Sequence, residues 1–283
     1  YYGDLILRRA GLLTAGEYLS GLGSLIAGYE GQPGRLKQSA ETSSFDTWIE
    51  HYRPDENSIN TAISYYTKGE LLGLVLDLEI RSRTKGARSL DDVMRRLMDN
   101  YGLPKPGFSD AQLRATFEEV LGGELGDFWS RYVAGVEAID FDAYFKKVGL
   151  NLTKGWQPGT AYANSRTDKP GTLGFRFRAA SAQSDRVVVS NVLAGLPAYD
   201  GGLNSGDELI SVDGLRIDTS NAARRIIDLR AGQRVSLAVF RRERTRTFEM
   251  TAAPKPFDRY LISEDKSGQA DLIALRRQWL GEK

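Results

Sequence analysis

The sequence predicts a multidomain α plus β chain. An all-α unit covers residues 1–153, a small β-barrel-like module with one or two helices covers 154–256, and a tail over 257–283 ends in a short helix. Two observations carry this division. The first half repeats helical punctuation, with polar caps followed by apolar residues at three- and four-residue spacing. From about Gly155 the grammar changes: glycine and proline become frequent and short β-rich runs replace the helical stripes. A length of 283 residues is room for two ordinary domains, and 41% hydrophobic with 27% charged residues is a globular composition.

The elements follow in order. Thr14-Ala-Gly-Glu17 has capping-box spacing and precedes the stripe Tyr18, Leu19, Leu22, Leu25 and Ile26. Residues 28–60, with Gly31, Pro33, Gly34 and Pro54, read as a long irregular excursion. Residues 63–81 read as a helix apolar on nearly every side, hence buried and rigid, yet opening with Tyr65 and Tyr66. Ser89, with Asp91 and Asp92 in the first turn, caps the next helix, which Gly102 stops; Ser109-Asp-Ala-Gln112 repeats the box and Gly122-Gly123 ends its helix. Leu125, Phe128, Trp129, Tyr132 and Val133 mark one more amphipathic helix. The second half predicts strands over 173–177, 187–189, 208–212, 235–240 and 245–250, a helix over 220–229, and the tail helix over 270–280.

Composition excludes several chemistries. There is no cysteine, so disulfides, thiolate metal sites and cysteine nucleophiles are absent together. The one histidine, His51, sits in a polar stretch and is read as a surface or hydrogen-bonding residue. One histidine cannot by itself build a usual zinc site. A net charge of +1 offers no general attraction to nucleic acid, and the run Arg241-Arg-Glu-Arg-Thr-Arg246 reads as a solvated hairpin. No apolar run approaches the length of a membrane span. Tyr1-Tyr-Gly-Asp4 reads as the interior of a helix without an initiator Met, so a longer parent chain is expected.

The β module carries the more specific motif. Gly171-Thr-Leu-Gly-Phe175 resembles the carboxylate-binding loop of PDZ domains. Val192-Leu-Ala-Gly-Leu-Pro-Ala198 and Gly201-Gly-Leu-Asn-Ser-Gly-Asp207 resemble the PDZ run of bacterial HtrA-type proteases, with Gly201 where the family often has alanine. The resemblance implies a groove for the C-terminal tail of a peptide. Backbone N–H groups of Leu173, Gly174 and Phe175 would meet the carboxylate, Phe175 and Phe177 would line the floor, and Ile226 or Ile227 would form the opposite wall. Lys169 and Arg178 flank the loop, whereas residues 156–170 could fold over the groove and block it.

In the helical half, Tyr66-Thr-Lys-Gly69 resembles the Tyr-x-Lys-Gly helix start of gluzincin aminopeptidases. Together with Tyr1-Tyr-Gly-Asp4, Pro33-Gly-Arg35, Ser44-Phe-Asp-Thr-Trp-Ile49, Tyr52-Arg-Pro-Asp-Glu-Asn57 and Ser89-Leu-Asp-Asp92, it is similar to the glycyl aminopeptidase family of zinc metallopeptidases. The resemblance spans essentially the whole chain and implies an all-α gluzincin C-terminal subdomain followed by a PDZ domain. It also implies Zn2+ as cofactor, with its His-Glu-x-x-His ligands and general base lying before Tyr1, so this chain alone is expected to be inactive and to hold no zinc tightly. In that setting Tyr66 would donate a hydrogen bond to the tetrahedral oxyanion; on the residues alone it reads first as a packing tyrosine, and the resemblance reverses that order. Tyr65 is expected to pack, and Lys68 to pair with Glu70 or a neighbouring acid. The implied partners are a peptide or protein substrate and a C-terminal peptide at the groove, with neither nucleic acid nor a membrane span. A bacterial source goes with the resemblance, the periplasm or cell envelope ahead of the cytoplasm. The rival reading is a non-catalytic interaction protein that captures peptide tails.

Overall fold

The structure is a computed structural model in which residues 1–266 and 268–282 are described. Helix α1 (Tyr2–Arg9) leads to α2 (Ala15–Glu30), whose start is held by the Thr14–Glu17 box, each side chain answering the other's backbone N–H. The stretch read as irregular holds short helical pieces: a 3-10 turn at Pro33–Leu36, α3 (Ala40–Phe45) and α4 (Ser58–Thr61). The apolar helix becomes α5 (Tyr65–Arg83), and it is the axis of this half: Leu71, Leu74, Val75 and Leu78 are all 0% exposed. Around it lie α6 (Leu90–Tyr101), which starts at the expected Ser89 cap with the Ser89 N–H donating to Asp92, α7 (Asp110–Leu121), opened by the expected Ser109 box, and α8 (Phe141–Lys146). The helix expected from Leu125 to Val133 shrinks to a π-helical turn at Trp129–Val133, because Gly126 adopts φ +61 just before it and breaks the run.

One buried carboxylate organises the packing of α5. Asp77 accepts hydrogen bonds from the Tyr1 hydroxyl (2.6 Å), the Arg81 guanidinium (3.0 Å) and the Leu90 N–H (2.8 Å). Those donors come from the chain's start, from one turn further along α5, and from the first residue of α6. A buried charge with its acceptor capacity filled in this way ties three segments together.

After β1 (Leu150–Gly155) the chain enters the β module: β2 (Gly171–Thr172), β3 (Phe175–Ala179), β4 (Val187–Val192), α9 (Pro197–Asp200), β5 (Glu208–Val212), β6 (Leu215–Arg216), α10 (Ala222–Ile227), β7 (Arg234–Arg241), β8 (Arg244–Thr251) and β9 (Ala253–Pro254). The main sheet runs β3-β4-β5-β7-β8, with β6 turned back on β5 and β2 paired to β9. Inward residues such as Val187, Val189, Leu209, Leu237 and Val239 make a core separate from that of the helical half. β3 is an edge strand. The basic run lies at the β7–β8 hairpin, where Arg242 and Glu243 take φ +50 and +64, and Arg241 is tied to Asp207.

The segment expected to trail as a tail instead completes the helical half. β10 (Arg259–Glu264) pairs antiparallel with β1, and α11 (Ala270–Leu280) buries Trp279 and Leu280 at 0% and 1% exposure. The Trp279 indole N–H donates to the Tyr1 hydroxyl (2.9 Å), and Arg9 donates to the Trp279 carbonyl (3.0 Å). β10 also lies so close to α2 that a Cβ on Gly23 would stand 2.2 Å from the Tyr260 carbonyl oxygen. The β module is therefore inserted between β1 and β10, with both its ends anchored in one sheet. No helix among the described residues is long and apolar enough to cross a membrane.

Candidate active-site wall and peptide groove

Tyr65 and Tyr66 occupy the first turn of α5, where the Ser64 hydroxyl accepts from the Thr67 N–H. Although the body of α5 is buried, Tyr66 is 60% exposed. Its ring lies 4.0 Å from that of half-buried Tyr65, and the hydroxyl of Tyr52 bridges the two, 3.2 Å from Tyr66 and 3.3 Å from Tyr65. His51 presses edge-on against Tyr52, Tyr65 and Tyr66. The Tyr52 hydrogen bond, with that of Tyr65 behind it, draws the Tyr66 phenol below its usual range, while the same bridge pushes Tyr65 up. In a chain of hydroxyls the one that ionises first accepts from its neighbours and holds theirs neutral. Phe45, Trp48 and Ile49, just before His51 in the chain, are exposed at 88%, 75% and 72%. No spacing rule links Tyr52 or His51 to Tyr66: the segment Tyr52-Arg-Pro-Asp-Glu-Asn57 stands out in the sequence, but only a loop folding back on α5 turns it into a contact.

Lys68 departs from expectation. It does not pair with Glu70, because residues two apart on a helix point to different sides. Lys68 is 0% exposed and donates to the Gln38 and Gly135 carbonyls at 3.3 and 3.2 Å. Burial without a carboxylate lowers its ammonium from 10.5 to about 8.

In the β module, Leu173, Gly174, Phe175, Phe177, Ile226 and Ile227 come together around one cavity of about 420 Å³, with Lys255 at its rim. None of residues 156–170 lines it; Trp156 instead packs on Phe257, its indole donating to the Lys255 carbonyl at 3.1 Å. Gly174 has φ +83 and a Cβ there would lie 2.2 Å from the Leu196 Cβ, so only glycine makes this loop. Its N–H donates to the Thr172 hydroxyl at 3.1 Å, so that donor is already satisfied within the loop. Ile226 is 6% exposed and belongs to the core, whereas Ile227 is 45% exposed, a distinction periodicity left open.

Asn60 joins the two regions. Its amide donates to the Val192 carbonyl (2.7 Å) and its oxygen accepts the Ala194 N–H (2.8 Å). Leu193, between them, donates to the Gly174 carbonyl (2.8 Å). A second bond runs from the Asn191 amide to the Glu56 carbonyl (3.1 Å). The loop of residues 171–175 and the loop leading into α5 are thus two hydrogen bonds apart.

Comparison with known proteins agrees with these regions. Residues 1–72 match the M61 glycyl aminopeptidase family and residues 171–251 match the PDZ domain. The crystal structure of an aminopeptidase N family protein from Idiomarina loihiensis superposes on 99% of this chain with a TM-score of 0.84 at 25% identity. This chain spans 47% of that protein. The HtrA-type protease AlgW with a decapeptide aligns over 31% of this chain and 30% of its own at 23% identity, with a TM-score of 0.29. No curated protein matches.

Proposed function

We propose that this chain, which joins an M61 glycyl aminopeptidase segment to a PDZ domain, supplies one wall of the catalytic cleft and a peptide-holding groove to a zinc-dependent, aminopeptidase-like enzyme. The observation that carries the reading is an exposed tyrosine, Tyr66, on the first turn of a helix whose body is buried. Peptide hydrolysis passes through a tetrahedral oxyanion, and a fixed donor aimed at it contributes roughly 3–4 kcal/mol to the barrier. α5 carries the ring on its first turn, and the bridge through Tyr52 draws the Tyr66 phenol below its usual range.

The family's chemistry implies a metal ion, zinc in our reading. Among the described residues no cluster of three histidine or acidic side chains could hold one, and His51 is packed among tyrosine rings. The ligand set does not fit this chain, so the ion would belong to residues outside it. What this chain contributes is the phenol, the aromatic wall beside it, and the groove. At that groove a peptide with a free C-terminus would add as a strand to β3, its apolar last side chain between Phe177 and Ile227, with affinity on the order of micromolar.

The test is Tyr66→Phe in the full-length enzyme, with hydrolysis of aminoacyl anilides as readout. We expect kcat to fall about 100-fold or more with KM little changed, since the hydroxyl acts on charge present only in the transition state. Tyr65→Phe is the control and should cost far less. A Tyr66→Phe enzyme with wild-type kcat would return this residue to a packing role.

A further inference from the structure

We propose that Arg176 makes the groove selective for C-terminal peptides carrying an acidic residue at the penultimate or fourth-from-last position; this rests on the groove reading above. β3 alternates in exposure along its length, the bulge at Arg176/Phe177 placing its extra residue, Ser190, on β4. Phe175 and Phe177 pack toward the core and line the groove, while Arg176 and Arg178 stand exposed on the other face. A strand added antiparallel to β3 alternates with the same period. If its last side chain fills the pocket beside Ile227, the side chains one and three residues earlier emerge on the arginine face.

β3 itself offers that face no counter-charge. Residues 171–179 contain no acid, and among the described residues the Arg176 side chain makes neither a hydrogen bond nor an ion pair. Arg178 donates only to the carbonyls of Ala179 and Ala180. Arg176 also lines a second cavity of about 300 Å³ between the PDZ domain and the helical half, with Glu50, His51, Asp55 and Asn191 on its walls. The two acids there are already engaged: Glu50 accepts from the Gln38 amide, and Asp55 accepts from the Ser58 hydroxyl and the Asn57 N–H. Arg176 therefore borders both the peptide groove and the interdomain cleft with its guanidinium in no ion pair among the described residues, although Glu50 and Asp55 share the cleft and keep their charge. A peptide carboxylate on this face supplies the partner that the protein withholds. The planar guanidinium suits it, with two parallel donors for two oxygens.

The test uses the whole 283-residue chain and fluorescence polarisation with labelled hexapeptides ending in valine. These carry Glu, Gln or Lys at both the penultimate and fourth-from-last positions. We expect the Glu peptide to bind about five- to tenfold more tightly than the Lys peptide, with the gap narrowing at high salt. Arg176→Gln should collapse the gap and Arg176→Glu should invert it, while the Gln peptide keeps its affinity in both variants. Equal affinities across the series, or an order that survives Arg176→Glu, would overturn the proposal while leaving the groove reading in place. If no peptide of the series binds the folded wild-type chain, the groove reading falls and this proposal with it.

Discussion

Replacing Asn60 with alanine should loosen the PDZ domain from the helical half without unfolding either core. Asn60 is 5% exposed and its side chain acts as a short piece of backbone, reading the carbonyl of residue 192 and the N–H of residue 194. Alanine removes both partners at once and strands the Val192 carbonyl and Ala194 N–H. Each stranded group costs about 1–3 kcal/mol while the interface stays dry, and less once water enters. The sum for the docked state is about 2–4 kcal/mol. The remaining Asn191 to Glu56 bond cannot compensate, being a single amide donor at a more exposed position. At about 1.4 kcal/mol per factor of ten, protection of the Ala194 amide from hydrogen exchange should drop roughly 30-fold or more. The amides of Leu74 and Val239, deep in the two cores, should keep theirs. Asn60→Asp sharpens the test: it keeps an acceptor for Ala194 but sets a carboxylate oxygen against the Val192 carbonyl, so it should be at least as damaging as alanine. If Ala194 is protected in Asn60→Ala as in wild type, the two halves are held by something other than this amide and the reasoning fails.

Other perturbations give equally direct readings. Lys68 titrates near 8 folded against 10.5 unfolded, so between those values the unfolded state binds more protons and stability should rise with pH, by at most about 3 kcal/mol; urea titrations should show that rise vanish in Lys68→Met, and an unchanged pH slope would mean that the ammonium is well solvated. Gly174→Ala should lower the PDZ domain's Tm and abolish peptide binding, because φ +83 and a Cβ 2.2 Å from the Leu196 Cβ are incompatible with any side chain; calorimetry with an unshifted transition would refute this. Trp279→Ala should destabilise the helical half by about 3–5 kcal/mol, seen as a lower urea midpoint for that half, since the indole is fully buried against Tyr1 and Tyr18; an unchanged midpoint would make α11 an appendage after all.

Much of this molecule was determined by short-range chemistry that can be read along the chain. The Thr14 and Ser109 boxes and the Ser89 cap open their helices where the spacing puts them, because a capping hydrogen bond spans only three residues. The Gly171-Thr-Leu-Gly-Phe175 loop and the strands around it are local in the same sense, and so is the burial of α5, whose apolar residues leave no polar face for solvent. What tertiary structure alone decided are the contacts between segments far apart in sequence. Periodicity says that α11 has a buried side but not that Trp279 meets Tyr1 across the whole length of the chain. It says that Lys68 is on α5 but not that two carbonyls from other loops take the place of an acid. It shows two tyrosines opening a helix, but a returning loop brings Tyr52 between them, and Asn60 meets the PDZ backbone only because an inserted domain has both ends fixed in one small sheet. Residue type and spacing set what each segment can bury and cap. Which segments meet is set by how several such surfaces are satisfied together, and that information is held by no single stretch of sequence.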